Sequence, residues 1–531
     1  MPDEPEQWWT PAPAAAPRPA AEPAYSDGPA YAEEDSDDAI FPNIARATAA
    51  ASVPAPASGS ARVSAPAPSP APARVPVTRV LDEPPQQTLS GWGRTSPTVA
   101  RVARPRTREE VAEAVAGAGP RGVVARGLGR SYGDPAQNAG GLVIDMTGLN
   151  RILSVDLESG LVAAEGGVSL HALMRALVPF GYFVPVTPGT RYVTVGGAIG
   201  SDIHGKNHHA DGSFAQHVLS MDLLLADGSV RTVTPDGDPE LFWATAGGMG
   251  LTGVVLSAVI RMLPIETSLL SVDTFKLPDL DALMEKLAGT DTDYRYTVAW
   301  MDCLAKGAKL GRALLDCGNF ATLDELPAKH RADPLAFSAK PLAAVPDVFP
   351  SRLLNRRTIA LANEVWYRKT PSTHHHIATI GGFFHPLDGI KDWNRVYGKS
   401  GFLQYQFVVP FGADVAFKRM VERISRVQAP SFVSVLKRFG KGSPGYLSFP
   451  QEGWTLALDF PTNTPGLDRL LPWLDEQVLA EGGRIYLAKD SRLAPGQLAA
   501  MYPGLDDYRK VRASVDPHGV FVSDQSRRLG L

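Results

Sequence analysis

Arg126-Gly127-Leu128-Gly129-Arg130-Ser131-Tyr132-Gly133-Asp134 follows directly on the strand-like run Gly122-Val123-Val124-Ala125. Glycine at 127, 129 and 133 lets backbone N–H groups converge on an anion, because no Cβ blocks close approach and positive φ is open to it. A second stretch answers the first: Pro188-Gly189-Thr190, then Gly196-Gly197-Ala198, then Asp202, His204 and Lys206 at alternating positions. Two such loops suit a long diphosphate-bearing ligand gripped from both sides, although a lone Gly-x-Gly is most often an ordinary turn. Two common nucleotide loops are excluded. No Gly-x-x-x-x-Gly-Lys-Ser/Thr occurs, which rules out a P-loop. The spacing here is Gly-x-Gly-x-x-x-Gly, and Asp134-Pro135 stands where a Rossmann helix would begin.

Around these loops, Thr107 and Glu110 have capping-box spacing ahead of Val111 and Val115, which predicts a short amphipathic helix. A strand is expected at Leu142–Asp145. Ser169 is expected to cap a helix with Leu170, Leu173, Met174 and Leu177 on one face and Gly181 as its stop. Ser220–Ala226 and Ser229–Val233 flank Asp227-Gly228, a hairpin signal, and Val254–Met262 reads as a last strand. Helix and antiparallel strand alternate, so this region reads as α+β rather than doubly wound. Farther on, Phe402–Val409, Phe432–Phe439, Trp454–Phe460 and Arg484–Ala488 read as strands, with helices at Asp414–Val427 and Leu467–Ala480. That β-α-β-β-α-β order predicts a split βαβ unit, extended by strands at Arg295–Trp300 and Leu310–Leu315. Residues 320–360, rich in Pro, Ala and Leu with little periodicity, read as a lid.

Period two separates Leu403, Tyr405, Phe407 and Val409 from Gln404 and Gln406, and Trp454, Leu456, Leu458 and Phe460 from Thr455, Ala457 and Asp459. Such polar sides are either a solvent face or a pocket wall; two of them together, with Lys437 on the strand between, favour the pocket.

At 531 residues at least two domains are expected. A composition of 44% hydrophobic and 20% charged residues suits a globular protein, and a net charge of −4 argues against a nucleic-acid partner. Cys303 and Cys317 make neither a disulfide framework nor a metal set. His208-His209 and His374-His375-His376 lack companions at ligand spacing, so no metal is expected. No stretch approaches the roughly 18 apolar residues of a membrane span. The acidic start Met1-Pro2-Asp3-Glu4-Pro5-Glu6 lacks the basic n-region of a secretion signal. Residues 1–75, rich in Ala and Pro, are expected to be disordered.

Arg126–Asp134, Pro188–Thr194, Gly196-Gly197, Asp202–His209 and Leu251-Thr252-Gly253 resemble the FAD-binding domain of the vanillyl-alcohol oxidase superfamily. Within it, Asp202-Ile203-His204-Gly205-Lys206-Asn207-His208-His209, Gly401-Phe402-Leu403-Gln404-Tyr405-Gln406 and Ala488-Lys489-Asp490-Ser491-Arg492 resemble the decaprenylphosphoryl-β-D-ribose oxidase family, from about Arg94 to the C-terminus. The resemblance implies an α+β, two-domain PCMH-type FAD-binding fold with an antiparallel-sheet substrate-binding domain. Its divisions would be a tail at 1–75, an FAD-binding domain at 76–267, a substrate-binding domain at 268–483, and a segment at 484–531 that returns to the FAD-binding domain.

By the same resemblance, FAD would be held by Arg126, Gly127, Leu128, Gly129, Arg130, Ser131, Tyr132, Gly133 and Asp134, by Gly189, Thr194, Val195, Gly196 and Gly197, and by Ser201, Asp202, Ile203, His204, Val255 and Tyr486. Tyr132, Lys206, Trp300, Gln404, Gln406, Lys437, Phe439 and Ala457 would line the substrate cavity, with Lys489 and His204 as catalytic candidates. Relatives that attach FAD through histidine carry it in the first glycine loop, where Arg130 stands, so non-covalent FAD is expected. The implied reaction oxidises the 2'-hydroxyl of a polyprenyl-phosphate-linked ribose to the 2'-keto sugar. A separate NAD(P)H-dependent keto-reductase would complete the epimerisation that makes the arabinose donor of actinobacterial cell walls. Two cysteines suit a cytoplasmic protein, and a lipid-linked substrate would bring it into peripheral contact with the inner face of the plasma membrane. Two rival readings are an alditol or aldonolactone oxidase of the same superfamily and a non-catalytic cell-wall scaffold. Three positions depart from the family pattern: Ala457 where mycobacterial members have cysteine, and Val298 and Phe384 where a serine and a tyrosine are expected.

Overall fold

A computed structural model of the protein describes residues 73–74, 84–341, 343–346 and 355–531. The expected tail lies outside them except for Ala73 and Arg74, and so does part of the expected lid.

The first glycine loop grows out of a small sheet. β1 (Gln86–Leu89) and β2 (Thr98–Ala103) pair antiparallel. Thr107 then accepts the Glu110 amide at 3.2 Å and starts α1 (Arg108–Ala116), whose Val111 and Val115 are buried. The Glu110 carboxylate reaches the Arg106 amide at 2.7 Å, one residue before the cap itself. β3 (Val123–Arg126) and β2 both run parallel to β4 (Leu142–Asp145), which lies between them. This corrects the expectation of antiparallel strands alone: α1 carries the chain back across the sheet, and a crossover of that kind returns the next strand parallel.

The second sheet is antiparallel. Its strands are β5 (Ile152–Asp156), β6 (Leu161–Glu165), β7 (Val218–Leu224), β8 (Ser229–Val233) and β9 (Val254–Arg261), in the order β8-β7-β9-β6-β5, with Ala73–Arg74 at the β8 edge. Between β6 and β7, Ser169 caps α2 (Leu170–Leu177) through the Ala172 amide at 3.0 Å, and Thr194 caps the short α3 (Val195–Gly200). The Asp227-Gly228 hairpin forms, with Gly228 at φ 79°.

The third sheet has eight strands and is built from two split βαβ units. The second matches the expected order: β14 (Phe402–Pro410), α6 (Asp414–Val427), β15 (Ser434–Phe439), β16 (Gly453–Pro461), α7 (Leu467–Ala480) and β17 (Arg484–Ile485). The first repeats that topology: β10 (Leu269–Leu277), α4 (Leu280–Ala288), β11 (Tyr296–Met301), β12 (Ala313–Phe320), α5 (Arg356–Lys369) and β13 (Thr373–Thr379). The spatial order is β13-β10-β12-β11-β15-β16-β14-β17, and the units join where Ala299 pairs with Leu436. Two expectations change. β17 stops at Ile485, so Lys489 lies on a turn, its N–H on the Tyr486 carbonyl at 2.9 Å. The end of the expected lid is helix α5, held by Asn363 to Asp302 (2.7 Å) and by Glu364 to Arg312 (2.7 Å).

Helical period explains which face is covered. Phe417, Met420, Val421 and Ile424 of α6 and Leu470, Leu471, Leu474 and Val478 of α7 pack with Leu283 and Leu287 of α4 on Leu315, Leu436, Phe407 and Leu456. On the other face, the first unit contributes Leu270, Val272 and Tyr296 to a core shared with Leu173, Phe183, Phe383 and Phe384. Three C-terminal helices, α8 (Pro495–Met501), α9 (Leu505–Val515) and α10 (Asp524–Leu529), bring the chain back to the first loop. Arg528 there bonds Asp134 at 2.7 Å and Asp490 at 2.9 Å.

Candidate active site

β3 delivers Arg126 to the first loop, where its guanidinium donates to the carbonyls of Ser90 (2.9 Å) and Ala136 (3.0 Å). A Cβ on Gly127 would sit 2.3 Å from Thr194 Oγ1, and one on Gly133 would sit 2.0 Å from the Asp490 carbonyl. The two loops and the turn before α8 therefore meet at van der Waals distance only because these residues are glycine. The N–H groups of Leu128, Gly129 and Ser131 donate to no backbone carbonyl among the described residues. Opposite them, Thr194 Oγ1 holds the Gly197 amide at 3.2 Å, Gly196 lies against Val255, and Gly189 faces open space. Amides at a partly exposed glycine edge, faced by a second glycine loop, fit the diphosphate of FAD. Arg130 lays its guanidinium 3.9 Å from the centre of the Trp92 ring.

Asp202 holds the next turn. Its φ of 36° is left-handed, and its buried carboxylate accepts from Ser213 Oγ (2.8 Å), the Ala215 amide (3.0 Å), Ser443 Oγ (2.7 Å) and Ser448 Oγ (2.6 Å). Those four donors explain the conformation: a backbone strain of about 1–3 kcal/mol persists where its surroundings over-determine it. The carboxylate expected at the cofactor is thus engaged by protein donors, and its effect is to fix the segment Ile203 to Lys206. Tyr486, stacked on Phe449 at 4.6 Å, donates to the Ser201 carbonyl at 2.9 Å.

On the uncovered face of the second unit, register sets side chains in rows. Trp300, Val435, Ala457 and Gln406 form one; Lys437, Thr455 and Val408 the next; Asp459 and Gln404 lie opposite each other. His204 rests on this surface. Gln406 Nε2 is 2.9 Å from its Nε2 and 3.2 Å from Thr455 Oγ1, and Lys437 Nζ is 3.4 Å from its Nδ1. Phe439 meets the imidazole edge-on at 4.7 Å. Gln404 Nε2 donates to Asp459 Oδ1 at 2.5 Å, and Tyr397 approaches Oδ2 at 3.5 Å. Lys489 Nζ stands 3.9 Å over the Tyr132 ring, and Lys206 Nζ donates to the Phe383 carbonyl at 2.5 Å.

Burial dominates the electrostatics. It pushes Lys437 down to about 7, with the charges of Lys206 and Lys489 adding, and Lys206 down to about 8 against the pull of Asp316. Asp459 and Lys489 form a coupled pair: burial raises the carboxyl and lowers the ammonium, while their mutual attraction opposes both. Burial, then Lys437, holds His204 well below its usual 6.5, and burial takes His208 to about 3. The three lysines keep some surface toward the cavity, where solvent moderates these effects. Opposed shifts among neighbours in one cleft are the arrangement that acid–base chemistry uses.

The structure brings Gln406, Lys437 and Phe439 against His204 and joins Gln404, Tyr132 and Lys489 beside them in one cluster. Lys206 stands beside Phe383, and Trp300 lies a strand farther out, stacked on Trp366 at 6.1 Å. Asp459 and Thr455, visible in the sequence only as part of a polar side, are central to it. Phe449, Ser443 and Ser448 lay outside any periodic signal because they sit on turns and loops, and Tyr397 because it ends a single short 3-10 helix, Trp393–Tyr397. A groove lined by Leu304, Asn355, Arg356, Arg357, Ala360 and Gln428 carries none of these groups. Among the described residues no three His, Cys, Asp or Glu are placed to hold a metal ion, and no helix is long and apolar enough to cross a membrane.

Comparison with known proteins agrees with the geometry. Residues 99–234 match a family model described as FAD binding domain, and 463–529 one described as D-arabinono-1,4-lactone oxidase. The chain is 51% identical over 448 residues to decaprenylphosphoryl-beta-D-ribose oxidase of Mycolicibacterium smegmatis, covering 83% of this chain and 97% of that protein. It is 24% identical over 440 residues to L-gulono-1,4-lactone dehydrogenase of Mycobacterium tuberculosis, covering 81% and 95%. The fold is α+β, the cofactor is FAD, and the chain is an FAD-dependent oxidoreductase that belongs to the decaprenylphosphoryl-β-D-ribose oxidase family.

Proposed function

We propose that this protein oxidises the 2'-hydroxyl of a polyprenylphosphoryl-β-D-ribose to the 2'-keto sugar. The observation that carries the reading is one sheet face bearing Gln404, Gln406 and Lys437, with two further lysines, Lys206 and Lys489, near enough to act on the Lys437 charge. Amide side chains orient sugar hydroxyls, and lysines meet both a phosphate and the oxygen that develops charge as its proton leaves. The two glycine loops would hold FAD non-covalently, and it would supply the two-electron acceptor for the hydride lost from C2'. Lys489 is the group offered to the departing hydroxyl proton, while His204, with its ring nitrogens against Gln406 and Lys437, orients the groups around it. Lys206 and Lys437 face the phosphate, and Tyr132, Trp300, Phe439 and Ala457 wall the cavity. Enclosure strengthens each contact, since charge is screened less there than in water.

The product is a ketone on a lipid carrier, so a separate NAD(P)H-dependent keto-reductase completes the epimerisation that leads to the arabinose donor for cell-wall arabinan. The carrier also calls for peripheral contact with the inner face of the plasma membrane by a cytoplasmic protein. We take 76–267, 268–483 and 484–531 as the FAD-binding, substrate-binding and returning segments. The match over 463–529 favours a second reading, oxidation of a free aldonolactone, but an uncharged sugar has no use for three clustered lysines.

The test is to incubate the holoenzyme with polyprenylphosphoryl ribose and trap the product with borodeuteride. Deuterium at C2' of a ribose–arabinose mixture is expected. Deuterium at another carbon, or turnover of free aldonolactone alone, contradicts the reading.

A further inference from the structure

We infer that Thr455 and Gln406 are positioning residues that hold His204 as its Nδ1–H tautomer and leave Lys437 beside it an uncharged amine in the ligand-free site. Proton direction along four contacts fixes this. Thr455 Oγ1 lies 2.9 Å from the Phe407 carbonyl, which can only accept, so the single hydroxyl proton points there. Thr455 then offers only lone pairs to Gln406 at 3.2 Å, and the amide must turn its NH2 toward them. The same Nε2 stands 2.9 Å from His204 Nε2 and gives it the second amide proton. His204 Nε2 therefore accepts. A neutral ring then carries its proton on Nδ1, and Lys437 Nζ, 3.4 Å away, faces an N–H. An ammonium there would oppose donor to donor, whereas an amine presents a lone pair.

The surrounding charges agree. Burial with Lys206 and Lys489 presses the proton off Lys437, and burial, the largest cause, keeps His204 neutral. Asp459, the carboxylate of this cluster, is engaged by Gln404 and Tyr397 rather than by Lys437. With both ring nitrogens occupied, His204 acts as a fixed partner, and Lys437 holds the basic lone pair at this end of the cavity. An arriving phosphate would draw a proton onto it. The inference concerns the chain's own groups and stands whichever sugar is the substrate.

The test is 15N NMR of histidine-labelled holoenzyme in mildly alkaline buffer, with the His204 signals identified by their loss in His204→Asn. A pyridine-type Nε2 and a pyrrole-type Nδ1 are expected. A pyrrole-type Nε2, an averaged pair or a doubly protonated ring overturns the proposal. Thr455→Ser should keep the pattern. Thr455→Val frees the Gln406 amide to turn, and the pattern should invert; an unchanged spectrum in that variant removes Thr455 from the device. Should Thr455→Val not fold, the wild-type spectrum still decides the tautomer.

Discussion

The unit from Leu269 to Thr379 and the unit from Phe402 to Ile485 share strand order and antiparallel pairing, yet turn different residues to the side away from the shared core of α4, α6 and α7. The first presents Leu270, Val272 and Tyr296, which pack with Phe183, Phe383 and Phe384. The second presents Gln404, Gln406, Lys437, Thr455 and Asp459. One topology serves here as an anchor and there as a site. The choice is made wholly at alternate strand positions, which backbone pairing does not constrain.

The anchor should fail by unfolding. Phe384 is fully buried and stacks with Phe183 at 5.2 Å and edge-on with Tyr296 at 4.8 Å. Phe384→Ala should cost about 3–5 kcal/mol, read by denaturant titration, with flavin lost in the same transition. A cost under about 1 kcal/mol would mean that this face does not hold the two halves together.

The site should fail by chemistry instead. Lys489→Met should slow substrate-driven flavin reduction by about 10² or more, the scale of one general-base or oxyanion contact, with flavin content and melting temperature kept. Reduction at the wild-type rate would remove Lys489 from the mechanism.

The same contrast explains what the sequence disclosed. The second unit was legible because Phe417, Met420 and Ile424 keep strict helical period and its strands alternate cleanly. In the first unit only β11 and β12 stood out. β13 reads Thr373-His374-His375-His376, which looks like a metal motif or a loop, and α5 buries only Ile359 and Asn363 along a face too narrow to show as a stripe. The glycine loops were legible by residue type, and their contact through Gly127 and Thr194 was not, since it depends on tertiary approach. Gln404, Gln406 and Lys437 followed from period two, whereas Asp459 needed its partners Gln404 and Tyr397 to be recognised as central.

A smaller effect separates the sheet faces by pH. Lys437 releases its proton near 7 in the folded protein and near the usual 10.5 when unfolded, so the unfolded chain binds more protons between those values and stability rises with pH across that window. Its burial penalty is therefore complete below about 7 and fades toward 10.5. Lys437→Met should gain about 2–4 °C in melting temperature at the acidic end and lose that gain at the alkaline end. A gain that grows with pH contradicts the assignment.

The smallest expected change is in Ala457→Cys. Cys303 and Cys317 pack in the helix-covered core, where burial pushes both thiols up to about 12. A cysteine at 457 would lie on the same sheet face as Lys437, whose amine can take up the thiol proton. Turnover should stay within about twofold, because one added sulfur is a modest volume change in a cavity wall. A small thiol reagent should label the native variant once and the native wild type not at all. Labelled wild type would show that the covered face is open.

The most direct measurement is anaerobic stopped-flow bleaching of the bound flavin by three substrates: polyprenylphosphoryl ribose, a free pentitol and a free aldonolactone. Because the second unit's face carries two sugar-orienting amides and Lys437, with Lys206 and Lys489 near enough to act on the Lys437 charge, the lipid-linked ribose should bleach the flavin at least about 10²-fold faster than either free compound, and that advantage should shrink in Lys437→Met. Equal or faster bleaching by the pentitol or the lactone would contradict the account.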